Sequence, residues 1–407
     1  MVTSFYPPHH FGGDATYVRA LSRELVRRGH EVEVVYCEDG FNALGRSVAN
    51  APVECSDGVL VHRLKSRLGV LSPLITQQTG RPGLKSSRLK EILANNFDVV
   101  NFHNISLVGG PGVLRLSQAP VNLYTLHEHW LLCATHILWK NKKHACDHRQ
   151  CFRCAIRSGI PPQLWRYTSL VNKCLESVDR LLAPSQFTAE QHAQSGIVNE
   201  IKVLPLFSQL DPGEENSETT PTANQFIYVG RVTASKGLLP VLKLFSRLVD
   251  LTLQVIGDGD QLEALKSAFS QYDNIIFSGA IEQSMLVHHY QSATALILPS
   301  LAPETFGLTI VEAFACGTPA LVRDAGGSKE LIEISGGGLV YSNDEELEYC
   351  VKRFSADTTL RKELGRKARN GFKNHFSADH HMHAYFDHIE QIQHQKGLGS
   401  QLAGESI

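Results

Sequence analysis

The stretch PSLAPETFGLTIVEAFACGTPALV, Pro299–Val322, is the most informative part of the chain, because it reads as a strand end, a loop, a helix and a strand. Gly307 precedes an apolar run, Gly317 stands where helices commonly end in a left-handed glycine, and Pro319 cannot continue a helix. We therefore predict one short helix that begins just after Phe306. Its amino end should face the carboxyl edge of a sheet, where it offers N–H groups and a partial positive charge to an anion.

Two glutamates of this stretch, Glu304 and Glu312, lie eight residues apart. Glu304 stands in the predicted loop, and Glu312 follows about one turn into the predicted helix. Carboxylates accept hydrogen bonds from hydroxyl groups, and the hydroxyls of a sugar or a ribose fit that need. The pattern therefore favours a ligand that carries both phosphate and sugar hydroxyls.

Composition indicates two domains and argues against several classes of protein. The 407 residues exceed what one hydrophobic core usually supports. Lys and Arg number 39 against 41 Asp and Glu, which argues against a general nucleic-acid binder. No run of about 18 apolar residues and no signal-peptide pattern occurs. We expect a cytoplasmic protein, and the sequence leaves peripheral attachment to the inner face of the membrane open.

Short β-rich runs alternate with amphipathic helical runs along the chain, which predicts parallel, doubly wound sheets with ligands at the carboxyl ends of the strands. The polar segment 209–224 interrupts this alternation and suits an exposed linker. The expected fold class is α/β, with two Rossmann-like domains facing across a cleft. They would be residues 1–208 and 225–378, followed by a terminal helix and tail at 379–407. The predicted strands are His30–Cys37, Asp98–Phe102, Val121–Leu126, Arg180–Pro184, Lys202–Leu206, Phe226–Val229, Thr252–Ile256, Ile275–Ser278, Ala295–Leu298 and Ala320–Val322.

The stretch around Glu304 resembles glycosyltransferase family 4 (group 1), whose signature is E-x7-E followed by an A-x-x-C/A-G-x-P segment. The residues that match this pattern are Phe306, Gly307, Glu312, Ala313, Gly317 and Pro319. Members of that family are retaining, nucleotide-sugar-dependent enzymes of the GT-B fold. The resemblance extends from Tyr6 to about Tyr385 and is strongest in the second domain.

The resemblance assigns the donor site to the second domain. Arg231 and Lys236 would contact the diphosphate, where a guanidinium and an ammonium can stabilise the charge that develops on the leaving group. No catalytic metal is then expected. Glu304 would orient the sugar and Glu312 would hold the ribose. The other expected donor contacts come from the helix start, at Phe306, Gly307 and Leu308.

In the first domain the resemblance points to a glycine loop and a histidine. Gly12 and Gly13 would let backbone N–H groups approach the distal phosphate of the donor. His127 matches a family histidine that hydrogen-bonds the donor sugar, and His103, one predicted strand earlier, is expected on the acceptor side. Only Met1-Val2-Thr3 precedes the loop in place of a full first strand. We expect either a short stub strand or an internal start codon, and we favour the second interpretation.

A cysteine-rich insertion at about 128–165 carries Cys133, Cys146, Cys151 and Cys154 in the pattern C-x12-C-x4-C-x2-C. A C-x2-C pair with two further cysteines in a short loop-rich segment can form a tetrahedral thiolate site, and zinc is the default ion for such a site in a reducing cytoplasm. Structural zinc bound by the four thiolates is therefore predicted. A mixed Cys/His site, an iron–sulfur cluster and reduced thiols without a metal remain alternatives.

The resemblance implies a retaining glycosyltransferase that moves a hexosyl group from a nucleotide-diphosphate sugar, of UDP or GDP type, to an acceptor. The acceptor could be a carbohydrate, a lipid-linked sugar or a small molecule, as in polysaccharide, glycolipid or other glycoconjugate synthesis. The family signature disfavours an epimerase or a phosphorylase. An inactive nucleotide-sugar-binding partner in a glycan-assembly complex is the alternative from another functional class.

Overall fold

The computed structural model describes residues 1–10, 12–45, 55–213 and 224–398, and the chain divides into two units. The first unit contains Met1–His136, Cys151–Leu204 and the chain from Met382 onward; the second contains Ile137–Gln150 and Pro205–His381. Phe11, most of the predicted linker and the tail beyond residue 398 lie outside the described residues. Within the ranges above, no helix is long and apolar enough to cross a membrane.

Helices and strands alternate along both units. The strands are β1 Glu33–Cys37, β2 Cys55–Ser56, β3 Val59–Leu64, β4 Val99–Phe102, β5 Val121–Thr125, β6 Trp139–Lys140, β7 His144–Ala145, β8 Arg180–Ala183, β9 Ile201–Val203, β10 Gln225–Val229, β11 Thr252–Ile256, β12 Ile275–Gly279, β13 Ala295–Leu298, β14 Ala320–Arg323 and β15 Gly338–Tyr341. The α-helices are α1 Gly13–Arg27, α2 Glu38–Asn42, α3 Leu71–Thr79, α4 Ser86–Leu93, α5 Cys151–Arg157, α6 Leu170–Leu175, α7 Gln186–Ala193, α8 Leu238–Phe245, α9 Leu262–Ala268, α10 Leu286–Ser292, α11 Leu308–Ala315, α12 Ser328–Ser335, α13 Asp344–Ala356, α14 Thr358–Gly371 and α15 Ala378–Gln395.

The first unit is organised around parallel strands. β1 pairs with β3 in parallel, and β4, β5, β8 and β9 form a second parallel ladder in that order. Val2 makes a parallel bridge to Val35 of β1 and another to Phe102 of β4. The N–H of Val2 donates to the carbonyl of Asn101 at 3.0 Å, and the N–H of His103 donates to the carbonyl of Val2 at 2.9 Å. The carboxyl ends of these strands therefore lie at one edge.

The second unit is built on one six-stranded parallel sheet with the order β12-β11-β10-β13-β14-β15. Its core is apolar on both faces; Leu296 and Ile297 are consecutive residues of β13, so they point to opposite faces, and both are fully buried. The strand order reverses direction between β10 and β13, which is the switch point where ligands bind in doubly wound sheets. The two loops that follow these strands are therefore the first place to look for a binding site.

The predicted strands are confirmed, with their ends shifted by up to three residues. Thr252–Ile256 and Ala295–Leu298 have the predicted bounds. The helix predicted just after Phe306 is α11, and Gly317, just beyond it, has φ 72° as its place at the helix end requires. Five of the described strands were not predicted: the two-residue strands β2, β6 and β7, and also β3 and β15, which lie next to β1 and β14.

Candidate active site

Two loops of the second unit meet at the switch point of its sheet. The loop after β10 carries Arg231 and Lys236, and the loop after β13 carries Glu304. The N–H groups of residues 301 and 302 both donate to the carbonyl of Ser235, at 2.9 Å each, and this joins the two loops. Gly237 has φ 67°, and a Cβ there would lie 2.2 Å from the carbonyl oxygen of residue 299. The close approach of the loops therefore depends on a glycine.

An ion pair joins the two loops at their centre. Nζ of Lys236 lies 2.6 Å from Oε1 of Glu304, and the Ser300 hydroxyl donates to the same oxygen. Burial alone would raise the pKa of the Glu304 carboxyl, but Lys236, Ser300 and the nearby Arg231 guanidinium outweigh it and hold that pKa below its ordinary value. The Glu304 side chain is 16% exposed and that of Lys236 is 24% exposed. The carboxylate is therefore ionised at neutral pH and still accessible.

The backbone of Glu304 is fixed by the glycine pair Gly326-Gly327. The N–H of Glu304 donates to the carbonyl of Ala325 at 3.0 Å, and the N–H of Gly327 donates to the carbonyl of Glu304 at 2.7 Å. Gly326 has φ 82°, and a Cβ there would lie 2.5 Å from the Glu304 carbonyl oxygen. This glycine pair therefore positions Glu304.

A second glycine turn supports the Arg231 loop from the side of β11. A Cβ on Gly257 would lie 1.8 Å from the carbonyl oxygen of Gly230, and one on Gly259 would lie 2.2 Å from that of Val232. The N–H of Val232 donates to the carbonyl of Asp258 at 2.9 Å. The turn thus has a packing role, and Arg231 itself extends into solvent from the supported loop.

The start of α11 lies beside Glu304. Gly307 caps this helix with φ 115° and makes no side-chain cap, so the first N–H groups, beginning with that of Leu308, point out of the helix end. The Phe306 ring is buried and packs edge-on against Phe376, with ring centroids 6.1 Å apart. The sequence placed Phe306 among the donor contacts, whereas its side chain packs in the interior and only its backbone can face a ligand at the helix start.

Glu312 lies on the inner face of α11 and is almost fully buried. Its Oε2 accepts a hydrogen bond from the Tyr290 hydroxyl, and its Oε1 accepts one from the Gln283 side chain, both at 2.9 Å. Burial raises the pKa of this carboxyl above its ordinary value despite those two bonds. The two carboxylates thus differ, because Glu304 is held ionised by a cation and Glu312 is held in place by neutral donors.

In the first unit, His103 and His127 follow the neighbouring strands β4 and β5. Nδ1 of His103 lies 3.0 Å from Nε2 of His127, the two rings stack, and the Tyr17 ring centroid lies 5.1 Å from that of His127. Burial, with a smaller contribution from His127, holds the pKa of His103 well below its ordinary value. A neutral, buried imidazole therefore contacts His127 at this edge of the sheet.

The predicted glycine loop leads into α1. Gly12 has φ 87° and is the residue just before the helix, which begins at Gly13, and both glycines are exposed. The side-chain amide of Asn104 donates to Oδ2 of Asp14 at 3.0 Å, which ties the helix start to the loop after β4. Gly12, Gly13 and His127 thus belong to the same edge of the first unit.

Comparison with known proteins identifies the family. The model of the glycosyl transferases group 1 matches residues 213–371, and that of Glycosyltransferase Family 4 matches residues 11–207. The chain belongs to the group 1 glycosyltransferases. The first match contains Arg231, Lys236, Glu304 and Glu312.

Three similar proteins agree with this assignment. An uncharacterized glycosyltransferase of Methanocaldococcus jannaschii is 23% identical to this chain, and the match covers 93% of this chain and 94% of that protein. The structure of sucrose-phosphate synthase from Thermosynechococcus elongatus matches with a TM-score of 0.74 and 19% identity, over 97% of this chain and 100% of that chain. Anabaena HepE, in complex with UDP and glucose, matches with a TM-score of 0.61 and 17% identity, over 98% and 99%. The chain has the GT-B fold.

The four cysteines proposed as zinc ligands of this glycosyltransferase are divided between the two units. Cys133, Cys151 and Cys154 belong to the first unit, and Cys146 follows β7 in the second. Sγ of Cys133 lies 3.1 Å from the Thr135 hydroxyl oxygen. Across the part of the chain that the structure describes, no group of three or more His, Cys, Asp or Glu side chains is arranged to hold a metal ion. Zinc binding by the four thiolates stays a prediction from the sequence.

A cavity of about 650 Å³ lies at the opposite edge of the first unit's sheet. Its lining includes Glu33 and Val99, which begin β1 and β4, together with Phe97 and Tyr385. Ligands of parallel sheets bind at the carboxyl ends of the strands, where His103 and His127 lie. We therefore do not assign this cavity to the glycosyltransferase site.

Sequence reasoning missed four residues that hold the glutamates in place. Ser300 and Ser235 fix the Glu304 loop, and Tyr290 and Gln283 fix Glu312. Ser300 lies inside the quoted stretch, four residues before Glu304, so the sequence could have indicated its hydroxyl as a partner of the Glu304 carboxylate. The sequence around Tyr290 could not have indicated its contact with Glu312, because that contact depends on the packing of α10 against α11.

Proposed function

We propose that this group 1 glycosyltransferase transfers a hexosyl group from a nucleotide-diphosphate sugar to a carbohydrate or lipid-linked acceptor, with retention of the anomeric configuration. One observation carries the proposal: the Lys236–Glu304 ion pair, 2.6 Å long, lies at the switch point beside Arg231 and the start of α11. A phosphate-binding cation and a hydroxyl-binding carboxylate there match the two chemical halves of a nucleotide sugar.

Arg231 and Lys236 are the proposed partners of the diphosphate. When the glycosyl–oxygen bond breaks, negative charge develops on the leaving nucleotide diphosphate, and fixed cations lower the energy of that state. Arg231 is exposed, so it can form a two-pronged contact with phosphate oxygens. Lys236 is already held by Glu304, so it is positioned before the donor arrives. These contacts supply charge stabilisation without a metal ion.

Glu304 and Glu312 are the proposed partners of hydroxyl groups. The lowered pKa keeps Glu304 an acceptor at neutral pH, which suits the hydroxyls of the transferred sugar. Each Glu312 oxygen already accepts one hydrogen bond and keeps a second lone pair, which a ribose hydroxyl can use. Tyr290 and Gln283 would then act as positioning residues for the ribose contact.

His127 is the residue of the first unit that we propose binds a sugar hydroxyl. Its Nε2 is engaged by Nδ1 of His103, so one of these two nitrogens carries the proton and the other accepts it. Since burial keeps His103 neutral, its Nδ1 either donates a hydrogen bond to Nε2 of His127 or accepts one from it. His103 thereby fixes the orientation of the His127 ring.

A panel of nucleotides and donors tests the proposal. UDP, GDP and ADP are compared by thermal stabilisation, where a ligand at about 100 times its dissociation constant adds roughly 2.7 kcal/mol. The corresponding sugar nucleotides are then compared by turnover, beginning with UDP-glucose because HepE was solved with UDP and glucose. We expect one nucleotide to stabilise the protein, its sugar nucleotide to be turned over, and NMR of the product to show the donor's anomer.

The same panel separates the alternatives. Nucleotide binding without turnover of any donor would identify a binding partner of a glycan-assembly complex instead of an enzyme. An inverted product would contradict retention while leaving the donor site intact. Failure of all three nucleotides to stabilise the protein would contradict the donor site itself.

A further inference from the structure

Helix α3 of the first unit is packed with its polar side inward. Ser72 and Thr76 are fully buried, and their hydroxyls accept hydrogen bonds from the buried Nζ of Lys85 at 3.1 and 2.9 Å. Leu71 and Leu74 lie on the outer side and are 49% and 42% exposed. A surface helix normally turns its apolar side to the core. The exposed leucines of α3 form an apolar face of the kind that binds a partner or an apolar medium.

The exposed apolar surface extends beyond α3 in both directions along the chain. The turn before the helix carries Leu68, 53% exposed, and the turn after it carries Leu84, 46% exposed. The latter turn contacts the helix, since the Thr76 hydroxyl donates to the carbonyl of Pro82 and a Cβ on Gly83 would lie 2.9 Å from Ile75.

A short 3₁₀ helix, Leu164–Tyr167, continues this surface. The indole N–H of Trp165 donates to the carbonyl of Gln77 at 2.8 Å, which packs the short helix against α3. Leu164 and Tyr167 are three residues apart, so they share the other side, and they are 66% and 60% exposed. We call this the outer apolar surface: Leu68, Leu71, Leu74, Leu84, Leu164 and Tyr167.

Cations predominate in this region of the sequence. Residues 58–90 contain seven Lys and Arg and no Asp or Glu, but Arg63 and Lys65 pair with Glu38, Arg88 pairs with Glu91, and Lys85 is buried. Arg67 and Arg81 border α3 at either end and are exposed. Exposed leucines and a tyrosine bordered by cations are the combination that binds the interface of an anionic bilayer.

We propose that the outer apolar surface docks the first unit on an anionic lipid bilayer. The leucines would enter the headgroup region, Tyr167 would lie at the interface, and Arg67 and Arg81 would contact lipid phosphates. The segment 65–70 follows β3, so the surface borders the carboxyl edge of the sheet that also carries His103 and His127. Docking would therefore hold that edge near acceptors that reside in the membrane.

Vesicle co-sedimentation of the full chain, without donor, tests this proposal independently of the proposed donor site. Vesicles of phosphatidylcholine alone are compared with vesicles that also contain phosphatidylglycerol, at low and high salt. We expect binding to the anionic vesicles that weakens with salt. Leu71→Ser combined with Leu74→Ser should lower the partition coefficient about tenfold or more, and Arg67→Gln combined with Arg81→Gln should do the same.

The matched control is Val249→Ser combined with Met285→Ser, two exposed apolar residues of the second unit that are 66% and 62% exposed. This control should bind vesicles like the wild type. Thermal unfolding of each variant checks that the fold is kept. Equal binding of the wild type to neutral and anionic vesicles, or wild-type binding by the leucine variant, would overturn the proposal. So would a complete lack of vesicle binding, which would leave a protein partner as the cover for this surface.

Discussion

At the scale of single residues, Glu304 is the group whose charge matters most, because a cation and a hydroxyl are arranged around it. Glu304→Gln keeps the shape of the side chain and removes the charge. We expect turnover of the donor to fall by about two orders of magnitude, since a contact in the transition state is lost. The affinity for the nucleotide diphosphate alone should stay the same or rise, because Lys236 no longer has an anionic neighbour.

Calorimetric titration measures the affinity for the nucleotide diphosphate, and a kinetic assay with the corresponding nucleotide sugar measures turnover. Together they check whether Glu304→Gln changes turnover without weakening nucleotide binding. Glu363→Gln serves as the control, because Glu363 pairs with Lys367 at 2.7 Å on the surface of the same unit. If Glu304→Gln weakened the nucleotide as much as it slowed turnover, Glu304 would be a general binding residue and its proposed role on the sugar would be wrong.

The pH dependence of turnover reports on the same carboxyl. Lys236 lowers the pKa of Glu304, so the ionised form persists in the wild type below the pH at which an ordinary glutamate is protonated. Lys236→Met removes the cation that lowers the pKa of Glu304. The fall of kcat/KM on the acid side of its pH profile should therefore occur at higher pH in this variant. Lys329→Met, at a surface ion pair with Asp324, should leave the acid side of the profile where it is. If the acid side of the profile stayed at the same pH in Lys236→Met, the titration of another group would determine it.

At the scale of elements, the glycine turn at Gly326 should matter to the site more than other left-handed glycines do. Gly326→Ala and Gly336→Ala both place an alanine at positive φ, 82° and 65°, which costs about 1 to 2 kcal/mol of stability. Only the first pushes a methyl group against the Glu304 backbone. We expect Gly336→Ala to retain donor turnover and Gly326→Ala to lose most of it, as judged by kinetics at a temperature where both remain folded. If the two variants turned over the donor at the same rate, the turn at Gly326 would not be needed to position Glu304.

The cysteine-rich segment yields a prediction from the sequence alone. Elemental analysis of protein purified under reducing conditions should find about one zinc per chain if the four thiolates bind it, and Cys151→Ser or Cys154→Ser should release that zinc. Protein without metal, with four reactive thiols, would reject the site. A brown protein that absorbs visible light would indicate an iron–sulfur cluster instead.

Local signals explain which elements were predictable from the sequence. Helix α11 was predictable because Gly307, Gly317 and Pro319 mark both of its ends within twelve positions of chain. Strand β15 was missed because three consecutive glycines, 336–338, read as a turn, whereas the last of them begins the strand and packs against the carbonyl of Ala320. That contact arises because β15 pairs with β14 in the sheet, and it leaves no pattern in the sequence around residue 338.

For the candidate site, the sequence indicated the residues but not the contacts between them. Arg231, Lys236, Glu304 and Glu312 each stand in a family motif. The ion pair that joins two of them spans sixty-eight positions, and the Tyr290 contact with Glu312 spans twenty-two. Such pairs arise from strand order and helix packing, which single-sequence reasoning does not resolve.

At the scale of the whole molecule, buried and half-buried histidines make the first unit sensitive to acid. Burial lowers the pKa of His10 to about 4 and that of His129 to about 3, and it holds that of His103 far below its ordinary value. Their folded pKa values lie below the unfolded value, so the unfolded state binds more protons as the pH falls through about 6.5. Stability is therefore present at neutral pH and is lost on acidification, by roughly 1 kcal/mol for His129 between about pH 7.5 and 5.5.

Denaturant unfolding at the two pH values measures this loss. His129→Phe should remove the His129 share of the pH dependence, since phenylalanine does not titrate and the pocket already contains the Phe187 ring, 5.9 Å away. His394→Phe, at an exposed position, should leave the pH dependence unchanged. A wild type whose stability does not change between the two pH values would contradict the prediction.

Arg231 of the second unit is the residue that we propose stabilises the leaving diphosphate during transfer. The most direct test is donor turnover by Arg231→Ala beside the wild type, with Arg247→Ala, a change at an exposed arginine that pairs with Glu348, as the control. We predict a loss of about two orders of magnitude or more for Arg231→Ala and none for Arg247→Ala. Donor turnover by Arg231→Ala at the wild-type rate would contradict the account.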